Sequence, residues 1–227
     1  MKNIINQVIS NQTLLFMMGG FLPAGLNLIT LPIIALYIAP EEFGIYSYTN
    51  AFQSIFIVFG GLSMNSYLLR FYFDKSVSKR LSMIGTIFLF LIFVNFIITV
   101  LLLLSMPIIV PKLNNSVLYY PYFFLMILTV SLEFIYMIPQ VIFRIKRRAL
   151  NFIFFSVSRM LLIQIVTLIL IIKFDTGILG RYIGNLSGNV IFAVISIPLI
   201  FKNSNIHFKF DIAKEALKFS LPIIPAA

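Results

Sequence analysis

The 227-residue chain contains no cysteine and only one histidine, His207. The absence of cysteine excludes disulfides, thiolate metal ligands and cysteine nucleophiles. Because the single histidine lies in a polar stretch, the chain cannot assemble a histidine pair or a histidine-dependent catalytic triad. It also lacks the phosphate-binding pattern G-x-x-x-x-G-K-[ST], which argues against direct use of ATP. These absences predict a protein that is not an enzyme and that needs no cofactor and no metal.

Acidic residues are also scarce. The chain has 7 acidic and 17 basic residues, a net charge of +10, and only 11% of its residues are charged. Hydrophobic residues make up 60% of the sequence, and the mean hydropathy is +1.04. This composition excludes a water-soluble globular fold. A basic excess fits either nucleic acid or a membrane as the partner, and long apolar runs favour the membrane and argue against nucleic acid.

Six runs of mainly apolar residues are long enough to cross a bilayer as helices. They comprise residues 14–38, 43–69, 82–110, 121–143, 151–172 and 177–201. The predicted fold class is therefore all-α: a polytopic membrane helix bundle in which residues 1–201 form one six-helix transmembrane lobe.

Basic residues fall almost entirely on one side of this predicted bundle. Thirteen of the 17 lie at the amino terminus or after the second, fourth and sixth spans, and these are Lys2, Arg70, Lys75, Lys79, Arg80, Arg144, Lys146, Arg147, Arg148, Lys202, Lys209, Lys214 and Lys218. The other side holds Lys112, Lys173 and Arg181, and Arg159 lies within a span. By the positive-inside rule, the amino terminus and the segment after the sixth span are predicted to be cytoplasmic.

Residues 202–218 are predicted to form a cytoplasmic amphipathic connector. Phe208, Ile212, Ala216 and Phe219 recur at intervals of three or four residues and form one apolar face. Such a helix is expected to lie on the membrane surface. Residues 219–227 are apolar but too few to span a bilayer, so they are expected to be the truncated start of a seventh helix.

Four of the predicted spans carry polar faces, and polar residues are costly in a bilayer unless they face protein or water. They are Asn50, Gln53 and Ser54 in the second span, Thr129, Glu133, Tyr136 and Gln140 in the fourth, Ser156, Arg159, Gln164 and Thr167 in the fifth, and Arg181, Asn185 and Asn189 in the sixth. Two interpretations are open. The polar faces surround a hydrated cavity, or they hydrogen-bond to one another and hold the helices together. The charges on Glu133, Arg159 and Arg181 favour a cavity.

Glu133 and Arg159 are predicted to form an ion pair within the membrane. Each lies about ten residues, or roughly 15 Å of helix, from the connection between the fourth and fifth spans. Consecutive helices joined by a short loop are usually neighbours, so the two side chains can meet. Two roles are open: a static pair that joins the helices, and a switchable pair in which an anionic substrate takes Arg159 while Glu133 gains a proton.

Two parts of the sequence resemble a known family of membrane proteins. One reads IAPEEFGIYS at residues 38–47, followed by LLRFY at residues 68–72, and the other reads LKFSLPIIP at residues 217–225. With a first helix rich in glycine and proline, they resemble the amino-terminal half of the polysaccharide-biosynthesis flippases. That family belongs to the superfamily of multidrug, oligosaccharidyl-lipid and polysaccharide exporters. Its members have two six-helix lobes, and this chain corresponds to the first.

The resemblance implies export of an undecaprenyl-linked oligosaccharide, such as an O-antigen or capsule unit, across the bacterial inner membrane from the cytoplasmic to the outer leaflet. It also implies a missing second lobe or a homodimer partner. A sugar on an anionic pyrophosphate needs a polar route with basic groups, for which Arg159, Arg181 and Arg70 are candidates. Asn185 and Gln53 are candidate polar contacts. Arg70 also fits a residue that simply extends to the membrane surface.

Other functions stay open at this point. A non-transporting membrane assembly subunit, or an inactive transporter fragment, would have the same helices. A membrane enzyme is disfavoured because the predicted external loops are too short to fold a catalytic region. A multidrug cation antiporter is disfavoured because the first span contains no acidic residue.

Overall fold

The structure is a computed structural model that describes residues 2–113 and 117–226. Its α-helices are α1 (Lys2–Ala35), α2 (Pro40–Gly61), α3 (Met64–Phe71), α4 (Val77–Leu113), α5 (Phe124–Ile145), α6 (Ala149–Leu168), α7 (Leu179–Asn203) and α8 (Phe210–Ser220). A π-helical turn at Tyr119–Phe123 leads into α5, another at Ile169–Lys173 extends α6, and a 3-10 helix at Leu221–Ala226 follows α8. The described residues contain no strand.

Five helical segments are long and apolar enough to cross a membrane, and they are Gln12–Ala35, Val77–Leu113, Tyr119–Ile145, Ala149–Lys173 and Leu179–Asn203. The pair α2–α3, bent by 42°, is the sixth if it is counted as one span. The all-α, multi-pass class predicted from the sequence is thus confirmed. Short connections make successive spans run in opposite directions. We call the end of the bundle that holds the α3–α4 and α5–α6 loops the basic end.

The second span is broken, whereas the sequence predicted one continuous helix over residues 43–69. Leu62 and Ser63 adopt left-handed backbone conformations, with φ of 45° and 49°, and the Leu62 N–H closes α2 on the carbonyl of Val58 at 3.1 Å. The break leaves the Gly60 carbonyl without its next helical donor. Asn95 of α4 replaces that donor, because its Nδ2 lies 2.8 Å from the Gly60 oxygen.

Helix α5 lies at the centre of the bundle and packs against α2, α3, α4, α6 and α7, while α1 packs against α6. Large apolar side chains cover the outer surface, as illustrated by Phe21, Phe96 and Phe154, which are 69%, 67% and 75% exposed. Such a surface suits contact with lipid hydrocarbon rather than water.

The segment after α7 folds back onto the bundle. Helix α7 continues to Asn203, and α8 packs against α3 and α4 with Ala216 and Ser220 buried. In the predicted apolar face of the connector, Ala216 is buried, while Phe208 precedes α8 and is half exposed. Within the expected start of a seventh helix, residues 219–220 complete α8 and the 3-10 helix follows.

Candidate intramembrane polar site

Two glycines bring α6 and α7 close together. A Cβ on Gly184 would lie 2.1 Å from the Thr167 hydroxyl oxygen, and a Cβ on Gly188 would lie 2.2 Å from Ile163 Cγ1. The four-residue spacing puts both glycines on one face of α7, the arrangement that lets membrane helices approach closely. Polar side chains beside these glycines therefore reach from one helix to the other.

The first polar group, the Arg181 cluster, joins four helices near the start of α7. Arg181 donates from Nη1 to Gln164 Oε1 at 2.7 Å and from Nη2 to Asn27 Oδ1 at 2.6 Å. Its Nε lies 3.4 Å from the Tyr46 hydroxyl, and Gln164 Nε2 also donates to Asn27 Oδ1 at 3.2 Å. The cluster links α7, α6, α1 and α2.

Arg181 is a buried cation whose described partners are all neutral. Arg181 is only 6% exposed. Among the described side chains, none of the ion pairs includes Arg181. Neutral oxygens satisfy the N–H groups of a guanidinium but leave its charge uncompensated. The cluster therefore places a positive potential inside the bundle.

The second polar group, the Arg159 cluster, lies nearer the basic end of α6 than the Arg181 cluster does. Arg159 Nη2 is 3.8 Å from Glu133 Oε1, its Nε donates to Asn189 Oδ1 at 3.1 Å, and its guanidinium carbon lies 3.8 Å from the Tyr136 ring centroid. The Tyr136 hydroxyl donates to Glu133 at 3.0 Å, and Asn189 Nδ2 donates to the Thr129 carbonyl at 2.8 Å. The predicted contact between Glu133 and Arg159 is present.

The two clusters form one polar row along α7. Arg181, Asn185 and Asn189 are spaced by four residues, so Arg181 and Asn189 are about 12 Å apart along the helix axis. Asn185 lies between them and is half buried. A hydrogen bond of 3.1 Å from Gln140 to Ser156 extends the row towards the basic end.

The structure does not bring the other two predicted site residues into this row. Arg70 is exposed in the last turn of α3 at the basic end, whereas Arg181 lies in the first turn of α7 at the opposite end. Gln53 is half buried on α2, and the described hydrogen bonds of the Arg159 and Arg181 clusters do not include it.

Sequence reasoning missed two members of the Arg181 cluster, Asn27 and Tyr46. Asn27 is a lone amide within an apolar span, and that isolation is the signal that could have identified it. Tyr46 belongs to a segment that already stood out through its family resemblance, but nothing in the sequence indicated that its hydroxyl faces an arginine of the sixth span. A further bond in this region joins Thr49 to the hydroxyl of Tyr182.

Positive charge also collects at the basic end of the bundle. Arg144 stacks over the Phe152 ring at 4.6 Å, and Lys146 donates to the Asn203 side chain. Burial lowers the pKa of Lys146, and the nearby charges of Arg148 and Lys202 lower this pKa further. The like charges repel one another, so a bound anion would stabilise this end.

Together, the helical spans and the row of buried polar groups define a multi-pass membrane protein with a polar interior. The fold is similar to that of a MATE protein solved in complex with Br-NRF, with a TM-score of 0.73 and 16% identity over 95% of this chain and 53% of that one. It is similar to an outward-facing multidrug resistance MATE family transporter of the MOP superfamily, with a TM-score of 0.73 and 14% identity over 96% of this chain and 52% of that one.

These likenesses establish a MATE-like helical fold, and the chain spans about half the length of the solved structures that it matches. No curated protein matches it significantly. The family model of the polysaccharide biosynthesis proteins matches residues 9–224. The chain therefore belongs to the polysaccharide biosynthesis protein family.

Proposed function

We propose that the chain is the amino-terminal lobe of a flippase for undecaprenyl-linked oligosaccharide, such as an O-antigen or capsule unit. Membership of the polysaccharide biosynthesis family over residues 9–224 supports transport of a glycan rather than catalysis. The proposed location is the bacterial inner membrane, with the amino terminus in the cytoplasm, because the basic residues gather at one end of the bundle. The proposed direction is from the cytoplasmic to the outer leaflet.

The observation that carries the proposal is the loose ion pair of the Arg159 cluster. The Arg159 and Glu133 side chains are 17% and 15% exposed and 3.8 Å apart, which is longer than a charge-assisted hydrogen bond. A pyrophosphate oxygen can displace a carboxylate held at that distance and form a direct bond to the guanidinium. Glu133 would then be stabilised by taking a proton, since a lone carboxylate is costly in the membrane.

The remaining candidate residues have distinct proposed roles. Arg70, exposed at the basic end, attracts the anionic headgroup from the cytoplasm. Arg181 contributes positive potential at the other end of the row, and its bonds to Asn27 and Gln164 fix its position. Asn185 and Gln53 offer amide groups to sugar hydroxyls. In each role, the side chain contacts the polar headgroup and keeps it out of the hydrocarbon region, while the lipid tail stays in the bilayer.

A second lobe, or a second copy of this chain, is the proposed partner. The chain spans about half the length of the matched structures, and alternating access requires two bodies that move around a shared route. A non-transporting assembly subunit would need such a partner as well, but it would not need to bind the lipid-linked sugar.

Binding of the lipid-linked sugar tests the proposed substrate. The purified chain is titrated with undecaprenyl pyrophosphate oligosaccharide, and Arg159→Gln is expected to weaken binding about tenfold or more because a charge-assisted hydrogen bond is lost. Lys112→Gln is the matched control, since it removes the same charge from an exposed site at the far end of α4. Equal affinity of the two variants, or preference for a hydrophobic cation over the pyrophosphate, would refute the proposal.

A further inference from the structure

A pocket of about 370 Å³ lies at the basic end, between α3, the start of α4 and α8. We call it the connector pocket. Its polar lining consists of Tyr67, Lys75, Lys79, Lys209, Asp211 and Glu215. None of these residues belongs to the Arg159 or Arg181 cluster, so the pocket is separate from the intramembrane polar row.

The wall of this pocket is held in place by the extended segment 204–209, which lies on α4. The Asn205 N–H donates to the Leu81 carbonyl at 3.0 Å. Thr86 donates its hydroxyl to the His207 carbonyl at 3.1 Å and accepts the Lys209 N–H at 3.2 Å. A Cβ on Gly85 would lie only 2.0 Å from the Asn205 carbonyl oxygen, so glycine is needed for this approach. The backbone of Lys209 is therefore fixed at the pocket edge.

The charges of the connector pocket leave two lysines available. Lys75 pairs with Glu215 at 2.8 Å, whereas the ion pairs of the described side chains do not include Lys79, Lys209 or Asp211. Lys209 is also the N-cap of the 11-residue helix α8 and makes no side-chain capping bond. The free N–H groups of that first helical turn add positive potential, and the Asp211 carboxylate in the same turn offsets part of it.

A buried hydroxyl gives independent evidence for a ligand. Tyr67 lines the pocket and is 0% exposed. Its hydroxyl makes no hydrogen bond of ordinary geometry, although the Glu215 carboxylate, which already accepts from Lys75, lies close enough to interact with it. Buried polar groups almost always have a partner, because leaving one unsatisfied is costly. An oxygen atom of a bound molecule would supply the missing partner.

Apolar side chains around the pocket indicate what kind of molecule carries that oxygen. Phe210 lines the pocket and is 70% exposed. Phe73, Val77 and Phe208 lie within two residues of lining residues in the sequence and are 60%, 70% and 51% exposed. Exposed aromatic and aliphatic groups next to lysines are typical of the interface between headgroups and hydrocarbon. We propose that the connector pocket binds the phosphate headgroup of an anionic phospholipid, with Lys79, Lys209 and Tyr67 as its contacts.

The test uses the full chain in a neutral detergent and counts bound lipid by native mass spectrometry. Phosphatidylglycerol is expected to bind at least about fivefold more tightly than zwitterionic phosphatidylcholine, and the double variant Lys79→Gln, Lys209→Gln is expected to lose about fivefold in affinity per lysine. Lys214→Gln with Lys218→Gln is the matched control, because it removes the same charge from α8 outside the pocket. Gel filtration checks that both variants remain folded, as expected for exposed lysines.

Two further measurements decide the outcome. Tyr67→Phe is expected to weaken phosphatidylglycerol binding severalfold without lowering the melting temperature, because the removed hydroxyl makes no hydrogen bond of ordinary geometry in the free protein. Inorganic phosphate should bind far more weakly than the lipid. Equal loss in the two double variants, equal binding of the two lipids, or equally tight binding of inorganic phosphate would each overturn the proposal. None of these measurements depends on transport activity.

Discussion

At the scale of single residues, Arg181 and Arg159 stabilise a buried charge in different ways. Arg181 is surrounded by neutral oxygens at 2.6 and 2.7 Å, whereas Arg159 shares its charge with Glu133 at 3.8 Å. An uncompensated charge at the centre of a membrane helix costs roughly 2.5–3.5 kcal/mol. Glu133 and Arg159 therefore depend on each other, and removal of one leaves the other exposed to that cost.

A double-mutant cycle on Glu133 and Arg159 tests this dependence. Glu133→Gln is expected to lower the melting temperature and the yield no less than Arg159→Gln, because each single change leaves one charge alone in the bundle. The double substitution should partly rescue both, with a coupling energy of about 0.5–3 kcal/mol. Strictly additive effects would show that the two side chains do not interact.

The sequence predicted this ion pair because both residues lie on consecutive helices at a calculable depth. It did not predict the Arg181 cluster, in which Arg181 contacts Asn27 and Tyr46 from two distant spans. Helix periodicity gives the depth and the face of a residue, but the pairing of non-consecutive helices depends on close packing, here through Gly184 and Gly188. That packing is a tertiary property, and it cannot be predicted from the spacing of residues along one helix.

At the scale of the helices, the break between α2 and α3 depends on α4. The buried Asn95 amide donates to the Gly60 carbonyl at 2.8 Å and to the Leu91 carbonyl at 2.9 Å. The Oδ1 of Asn95 lies only 2.6 Å from the position that a Cβ on Gly60 would take. The break was not predictable from hydropathy, since Leu62 and Ser63 are ordinary residues that the surrounding structure holds in a left-handed conformation.

Two adjacent glycines provide a matched test of this contact. Gly60→Ala is expected to displace the Asn95 amide and to destabilise the protein by about 1–3 kcal/mol, since a buried carbonyl loses its donor. Gly61→Ala should change stability by less than about 0.5 kcal/mol, because nothing lies within 4 Å of its Cβ position. Thermal melting followed by circular dichroism makes the comparison. Indistinguishable melting curves for the two variants would contradict this account of the break.

At the scale of the whole molecule, the distribution of charge sets the proposed orientation. The α3–α4 loop, the α5–α6 loop and the segment after α7 all lie at the basic end, and together with the helix ends that flank them they contain 12 of the 17 basic residues. The order of the spans followed from hydropathy alone, because each apolar run in this chain is long enough to cross a bilayer. Five of the six predicted spans are single long helices, and the second is a span only if α2 and α3 are counted together. The docking of α8 against α3 and α4 could not be predicted from hydropathy, because an amphipathic pattern fits a membrane surface and a protein surface equally well.

Reporter fusions test the orientation. Fusions after Lys75, Arg147 and Lys209 are expected to behave as cytoplasmic, and fusions near Glu42 and Lys112 as external, because basic loops are retained on the cytoplasmic side. Alkaline phosphatase and green fluorescent protein activities give the readout. An external signal after Arg147 would contradict the six-span arrangement.

The central claim is that this chain is one lobe of a lipid-linked oligosaccharide flippase. Restoration of surface glycan in a flippase-null strain tests this claim most directly. Residues 1–227 present only as a monomer are expected to restore no glycan, since a single lobe cannot enclose a route between two bodies. The same chain produced together with a matching second lobe is expected to restore it, and Arg159→Gln in that pair is expected to abolish the restoration. Glycan restored by a demonstrably monomeric 227-residue product, or none restored by the two lobes together, would contradict the account.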